Sequence, residues 1–260
     1  MIVFVFLVCI AASTIGGICG IGGGVVIKPL LDATGIMSVS TLSFLSGLTV
    51  LAMAVVNVWK NRKNKAIDVK RSLPLGIGAA IGGVAGKQAF QSLKAAMGSD
   101  AVVGLVQSVV LGLLVLGTLL YVRNKARIQT RDVQSAWLSA LIGAALGILS
   151  SFLGIGGGPM NLAVLYYFFS METKQAAINS ILVILLSQLA SLGMTLVSGT
   201  VPSFDWGVLV AMASAGILGG FLSAKLQKKL SSEKVDVLFT ILLVVILLIC
   251  IYNAVKAVAL

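Results

Sequence analysis

Apolar runs dominate this chain and restrict it to one class of fold. Most of them are long enough to cross roughly 30 Å of hydrocarbon as helices, and none shows the alternation of a membrane barrel strand. Charged residues make up only 10% of the 260 residues, against about 25% in soluble domains. The sequence therefore predicts an all-α, polytopic membrane protein. The runs cover 2–19, 25–33, 38–59, 73–90, 101–122, 133–153, 159–170, 175–198, 206–224 and 235–255.

The runs form two sets of five that match one another in order. The second run of each set spans only about half of the hydrocarbon thickness, which predicts a short, broken or re-entrant helix. We expect about 8–10 transmembrane segments, including these two short ones. The chain then divides into two repeats, residues 1–127 and 128–260, which together form one domain.

Basic residues concentrate in three connections, at 60–71, 123–132 and 225–234. Short loops rich in Lys and Arg stay on the cytoplasmic side, so all three are expected there. That requires an odd net number of crossings in each half, and hence two repeats of inverted orientation with both termini outside. The net charge of +11 is then explained by topology and by anionic lipid headgroups, without a nucleic-acid partner.

The pentapeptide Gly-Ile-Gly-Gly-Gly occurs twice, at 20–24 and at 154–158, each time before a short run. Transporters built from inverted repeats bind substrates at the N-termini of broken helices, where unpaired N–H groups attract anions. Tight hairpin turns or close helix packing are the alternative roles of these glycines. The candidate substrate-binding glycines are Gly20, Gly22, Gly23, Gly24, Gly154, Gly156, Gly157 and Gly158.

Four polar side chains complete the candidate site: Lys28, Ser46, Asn179 and Ser180. Lys28 would add positive charge within the membrane, or would pair with Asp32 one helical turn later. The hydroxyl and amide groups suit oxyanion binding, although hydrogen bonds between helices are their more common use.

Enzymatic and metal chemistry are not expected. The chain contains no histidine and no Gly-x-Ser-x-Gly motif, and its carboxylates lie in loops or at the ends of runs. We therefore expect no catalytic residue, no metal site and no cofactor.

The two glycine motifs, together with Gly82-Gly83 and Gly219-Gly220 in the fourth run of each set, resemble the sulfite exporter TauE/SafE family (TSUP) of prokaryotic membrane proteins. The resemblance implies movement of sulfite, sulfonate or sulfoacetate across the inner (cytoplasmic) membrane. We accordingly expect a multi-pass carrier or facilitator of a small anionic substrate in a lipid bilayer, with homo-oligomers possible. The alternative is a channel or carrier for another small solute or ion.

Overall fold

The structure is a computed structural model that describes residues 1–63, 66–97, 100–155 and 157–259. Regular structure within these ranges is entirely helical, which confirms the predicted all-α fold. The ten α-helices are α1 (Ile2–Cys19), α2 (Gly24–Asp32), α3 (Val39–Asn61), α4 (Val69–Met97), α5 (Asp100–Asn124), α6 (Ala136–Leu153), α7 (Pro159–Phe169), α8 (Thr173–Val197), α9 (Trp206–Lys229) and α10 (Ser232–Ala259), and a 3-10 turn, Lys125–Arg127, follows α5.

Seven of the described helices are long and apolar enough to cross a membrane: α1, α3, α5, α6, α8, α9 and α10. The 29-residue α4 also has the length, but it carries Lys and Arg residues near both ends. The two short helices are α2, with 9 residues, and α7, with 11. The prediction of a polytopic membrane protein with two short helices is therefore confirmed.

The connections rich in Lys and Arg meet at one end of the bundle. Lys125, after α5, pairs with Asp236 of α10 at 2.5 Å. Lys174 at the start of α8 donates a hydrogen bond to the Leu230 carbonyl beyond α9, at 3.0 Å. We call this the basic end.

The opposite end holds the α2–α3 and α8–α9 connections and both ends of the described chain. Thr41 at the start of α3 donates to the Ser203 carbonyl, just before α9, at 2.9 Å. Lys256, near the end of α10, donates to the Ala33 carbonyl at 2.9 Å. A Cβ placed on Gly207 of α9 would lie 3.3 Å from the side chain of Ile2, so α1 also begins here.

Helices of the two halves pack against each other in a reciprocal pattern. The fourth helix of the first half, α4, packs on α6 and α8, whereas the corresponding α9 packs on α1 and α3. Glycines line both contacts, and they let helix backbones approach closely in lipid, where small residues favour association. Gly78, Gly82 and Gly86 of α4 lie against the α6 backbone, and Gly216 and Gly220 of α9 lie against α3.

Candidate functional site

The first glycine motif forms the tip of a hairpin between α1 and α2. Gly20 ends α1 in the left-handed region, with φ 69°, and Gly22 has φ 78°. Glycine adopts such backbone angles without a steric penalty. The Ile21 and Gly22 amides donate back to the Gly16 carbonyl, at 3.0 and 3.2 Å. The chain therefore reverses within five residues and re-enters a helix at Gly24.

The second motif forms the corresponding tip between α6 and α7. Gly154 ends α6 with φ 64°, and the Ile155 amide donates to the Ser150 carbonyl at 3.3 Å. Gly158 precedes α7 in an extended conformation, and Pro159 is the first helical residue, where a missing N–H group costs nothing. Gly156, also a predicted site residue, lies outside the described residues.

The two tips lie against each other in the interior of the protein. A Cβ on Gly24 would overlap the Ile155 carbonyl oxygen, and a Cβ on Gly157 would lie 2.6 Å from the Ile21 oxygen. The contact is made by backbone atoms, so no larger residue fits at these two positions. The structure thus brings together the two motifs that are 134 residues apart in the sequence.

Ser46 and Ser180 each hold the tip of the opposite half. Ser46 of α3 donates to the Gly154 carbonyl at 3.2 Å, and Ser180 of α8 donates to the Gly20 carbonyl. Both side chains are fully buried. Their hydroxyl protons are used within the protein in this conformation, so the two serines position the tips.

Asn179 lies in a different set of contacts. Its amide nitrogen donates to the Ala66 and Gln175 carbonyls, and its oxygen accepts from the Asp68 amide and the Ser72 hydroxyl, all at 2.8 Å. These bonds tie α8 to the start of α4 at the basic end. None of them reaches a glycine tip.

Lys28 fastens α2 to the end of α6. Its ammonium group donates to the Leu153 carbonyl, beside Gly154, and to Gln107 Oε1 at 2.6 Å. Gln107 of α5 in turn donates to the Phe152 carbonyl at 2.6 Å. The side chain is 5% exposed and sits at a helix C-terminus, where a positive charge is favoured. The predicted intramembrane charge is therefore beside the second tip, held by neutral oxygen acceptors.

The first N–H groups of α2 and α7 have no acceptor within their own helix. For α2 these start at Gly23 and Gly24, because the Gly22 amide already bonds to Gly16. For α7 the position before the helix is Gly158, which is buried. Among the described residues, the nearest atom to a Cβ on Gly158 is the Met160 nitrogen at 3.9 Å. A small space therefore adjoins the start of α7.

A comparison with known families shows to which family the chain belongs. The profile described as "Sulfite exporter TauE/SafE" matches residues 5–250. The chain belongs to the sulfite exporter TauE/SafE family. It is also 26% identical over 269 residues to a protein of Bacillus subtilis (strain 168) named "Probable membrane transporter protein YunE", covering 94% of this chain and 95% of that one. No solved structure gives a significant match. The family and this relative indicate membrane transport and place the TauE/SafE chain in a lipid bilayer.

Sequence reasoning missed two groups of residues in this TauE/SafE chain. Ser43 lies against Gly154, its Oγ 2.5 Å from a Cβ placed there, and Ala177 of α8 lies equally close to Gly20. Ser43 and Ala177 are 134 residues apart, as are Ser46 and Ser180, so the same offset would have identified them as a pair. The second group consists of Asn57 and Asn61 of α3 with Ser223 and Gln227 of α9, which are hydrogen-bonded to each other between helices. Their spacing of four residues on each helix was the available signal.

Proposed function

We propose that this protein is a carrier or facilitator of small sulfur-containing anions, such as sulfite, sulfonate or sulfoacetate, in the cytoplasmic membrane of a prokaryote. The observation that carries the proposal is the meeting of two glycine tips, one from each half, in a member of a transport family. The family and the relative named as a transporter support transport in place of catalysis.

The binding groups in this proposal are backbone amides at the starts of α2 and α7. Gly23 and Gly24 supply them from the first half, and Gly157 and Gly158, together with the preceding Gly156, from the second. Two helix N-termini contribute about half a positive charge each, and the absence of side chains lets an oxyanion approach the N–H groups. Gly20, Gly22 and Gly154 shape the turns, and Lys28 adds a positive charge on one side.

The two halves act as inverted repeats in this proposal. The reciprocal packing of α4 and α9, and the reciprocal serine bonds to Gly20 and Gly154, support it. In transporters of this type, rocking of one repeat against the other exposes a central site to each side in turn. The basic end is cytoplasmic by the positive-inside rule, which places both described termini outside.

Counterflow in proteoliposomes tests the function. Purified protein is reconstituted into vesicles preloaded with unlabelled sulfite, and uptake of labelled sulfite is followed. We expect saturable uptake that requires internal sulfite and that sulfoacetate or a sulfonate inhibits. Ohmic current in planar bilayers, or uptake no faster than in protein-free vesicles with all three solutes, would contradict the proposal.

A further inference from the structure

We propose that a column of buried amide and hydroxyl side chains between α1, α3 and α9 is the substrate's route from the basic end to the first glycine tip, with Asn61 and Gln227 as the residues that contact it at the mouth. This inference rests on the proposed function only for the identity of the solute that follows the route.

A cavity of about 590 Å³ opens at the basic end, next to this column. Its volume lies within the roughly 300–1,000 Å³ of typical small-molecule sites. Two lysines, Lys174 and Lys228, and one carboxylate, Glu172, lie at its wall and leave a net positive charge that favours an anion. The lining also includes Asn61, Ala66, Gln175, Ile178, Gln227 and Ser232.

The column begins where Asn61 and Gln227 line the cavity. Asn61 Nδ2 donates to Gln227 Oε1 at 3.3 Å and to Asn57 Oδ1 at 2.9 Å. Asn57 continues inward by donating to Ser223 Oγ at 2.8 Å. Gln227 Nε2 donates to the Ile18 carbonyl, two residues before the first glycine motif, at 3.3 Å. The amides therefore connect the cavity to the Ile18 carbonyl in the last turn of α1. A Cβ on Gly17, one turn after Ser13, would lie 2.5 Å from Ser223 Oγ.

Among the residues that the structure describes, two buried polar atoms on this route find no hydrogen-bond partner: Asn61 Oδ1 at the cavity and Ser13 Oγ at the tip. Ser13 is next to the glycine motif, since a Cβ on Gly23 would lie 3.0 Å from its Oγ. Leaving such a group buried and unpaired is unfavourable, so each marks a place for a polar occupant. Their positions at the two ends of the column fit a path for a hydrated or polar solute.

The corresponding positions of the other half do not form such a column. The 134-residue offset places Ser191 and Thr195 opposite Asn57 and Asn61, and the Thr195 hydroxyl donates within its own helix, to the Ser191 carbonyl at 2.9 Å. The 137-residue offset between Gly82 and Gly219 places Phe90 opposite Gln227. The Phe90 ring is buried and lies 6.0 Å from Lys28 Nζ. In this conformation, the polar column formed by the described residues thus leads toward the basic end.

Thiol labelling tests the route independently of transport. Asn61→Cys and Gln227→Cys are reconstituted with the basic end accessible and treated with a membrane-impermeant sulfonatoethyl methanethiosulfonate. The matched control is Thr195→Cys, and the wild-type protein, whose three cysteines are buried, gives the background. We expect both variants to react at least tenfold faster than the control, and sulfoacetate to slow them. Reaction at the control rate would overturn the route.

Transport supplies the second measurement. Asn61→Leu and Gln227→Leu should lower anion exchange at least tenfold, whereas Thr195→Val should leave it within twofold. If the leucine variants fail to fold, the labelling rates decide. Wild-type exchange combined with slow labelling refutes the route and leaves the function intact. Fast labelling in a protein that moves no sulfur-containing anion supports the route and refutes the proposed substrate class.

Discussion

The glycines of the two tips perform different tasks although they share one motif. Gly20, Gly22 and Gly154 supply positive φ angles, Gly24 and Gly157 permit backbone contact between the tips, and the buried Gly158 adjoins a small space. The repeated pentapeptide predicts a common backbone role. It does not predict this division, because the close neighbours of each glycine come from distant parts of the chain.

Gly158 allows a substitution that tests binding without disturbing packing. Gly158→Val places a side chain at the start of α7, where the backbone is extended and the described neighbours leave room. We expect near-wild-type thermal stability and a loss of sulfite exchange of about tenfold or more, equivalent to about 1.4 kcal/mol.

Gly193→Ala in α8 is the matched control, because no described atom outside its own stretch of helix lies within 4 Å of its Cβ position. Exchange by this variant should stay at the wild-type rate, with stability raised by up to about 1 kcal/mol. Wild-type exchange by Gly158→Val would show that the start of α7 is not part of the binding site.

Lys28 combines charge with a structural contact, and a pair of variants separates the two. Lys28→Met leaves the Gln107 and Leu153 oxygens without their donor. We expect the free energy of unfolding to fall by about 1–3 kcal/mol, the cost of an unsatisfied buried acceptor. The measurement is chemical or thermal unfolding in detergent.

The double variant Lys28→Met/Gln107→Leu removes one of these stranded acceptors but also takes the donor from the Phe152 carbonyl. Its loss of stability should be smaller than the sum of the losses of the two single variants, since substitutions in one hydrogen-bond network are not additive. If the double variant folds and anion exchange is still lost, the charge itself serves the substrate. Additive losses of stability would argue against the contact between Lys28 and Gln107.

At the scale of helices, the apolar runs predict the elements well and their ends less well. The run at 73–90 becomes α4, Val69–Met97, because charged residues at both ends continue the helix beyond the apolar stretch. The run at 133–153 begins as α6 only at Ala136. The preceding Arg131 and Val133 amides pair with the Tyr167 and Phe168 carbonyls of α7, a contact that hydropathy cannot reveal.

The close contact between α4 and α6 requires the glycines of α4 that face the α6 backbone. Gly82→Leu would drive a side chain into the Ala144 backbone, and overpacking of this kind costs about 1–3 kcal/mol or more. We expect a sharp fall in folded protein, measured by monodisperse yield and thermal unfolding. Gly117→Leu on α5, where no atom lies within 4 Å of the Cβ position, should express normally. Equal yields of the two variants would show that α4 and α6 can move apart without loss of folded protein.

At the scale of the whole molecule, the prediction that concerns orientation can be tested with fusions. The structure gathers the Lys- and Arg-rich connections at one end and both ends of the described chain at the other. A C-terminal alkaline phosphatase fusion should therefore be active, and a C-terminal green fluorescent protein fusion should be dark. The opposite result would reverse the orientation and place the proposed route on the outer side.

The sequence predicts the two tips and the serine pair beside them, and misses Ser43 and Ala177 although these repeat with the same offset. The serines that hold the tips follow from the 134-residue offset. Asn179, selected for its amide, bonds to α4 and its preceding loop, because a neighbouring position on α8 turns about 100° away from Ser180. The amides of Asn61 and Gln227 lie where α3 and α9 meet, and only the packing of those helices makes them a pair.

The direct contact between Gly24 and Ile155, and between Gly157 and Ile21, has a consequence for the cell. Main-chain atoms from both halves close the centre of the molecule, so the resting protein should be tight to protons and metal ions. A cell could then keep many copies in its membrane without dissipating its proton-motive force. Dye-reported proton leak in vesicles should match the protein-free baseline until a solute that separates the tips is added.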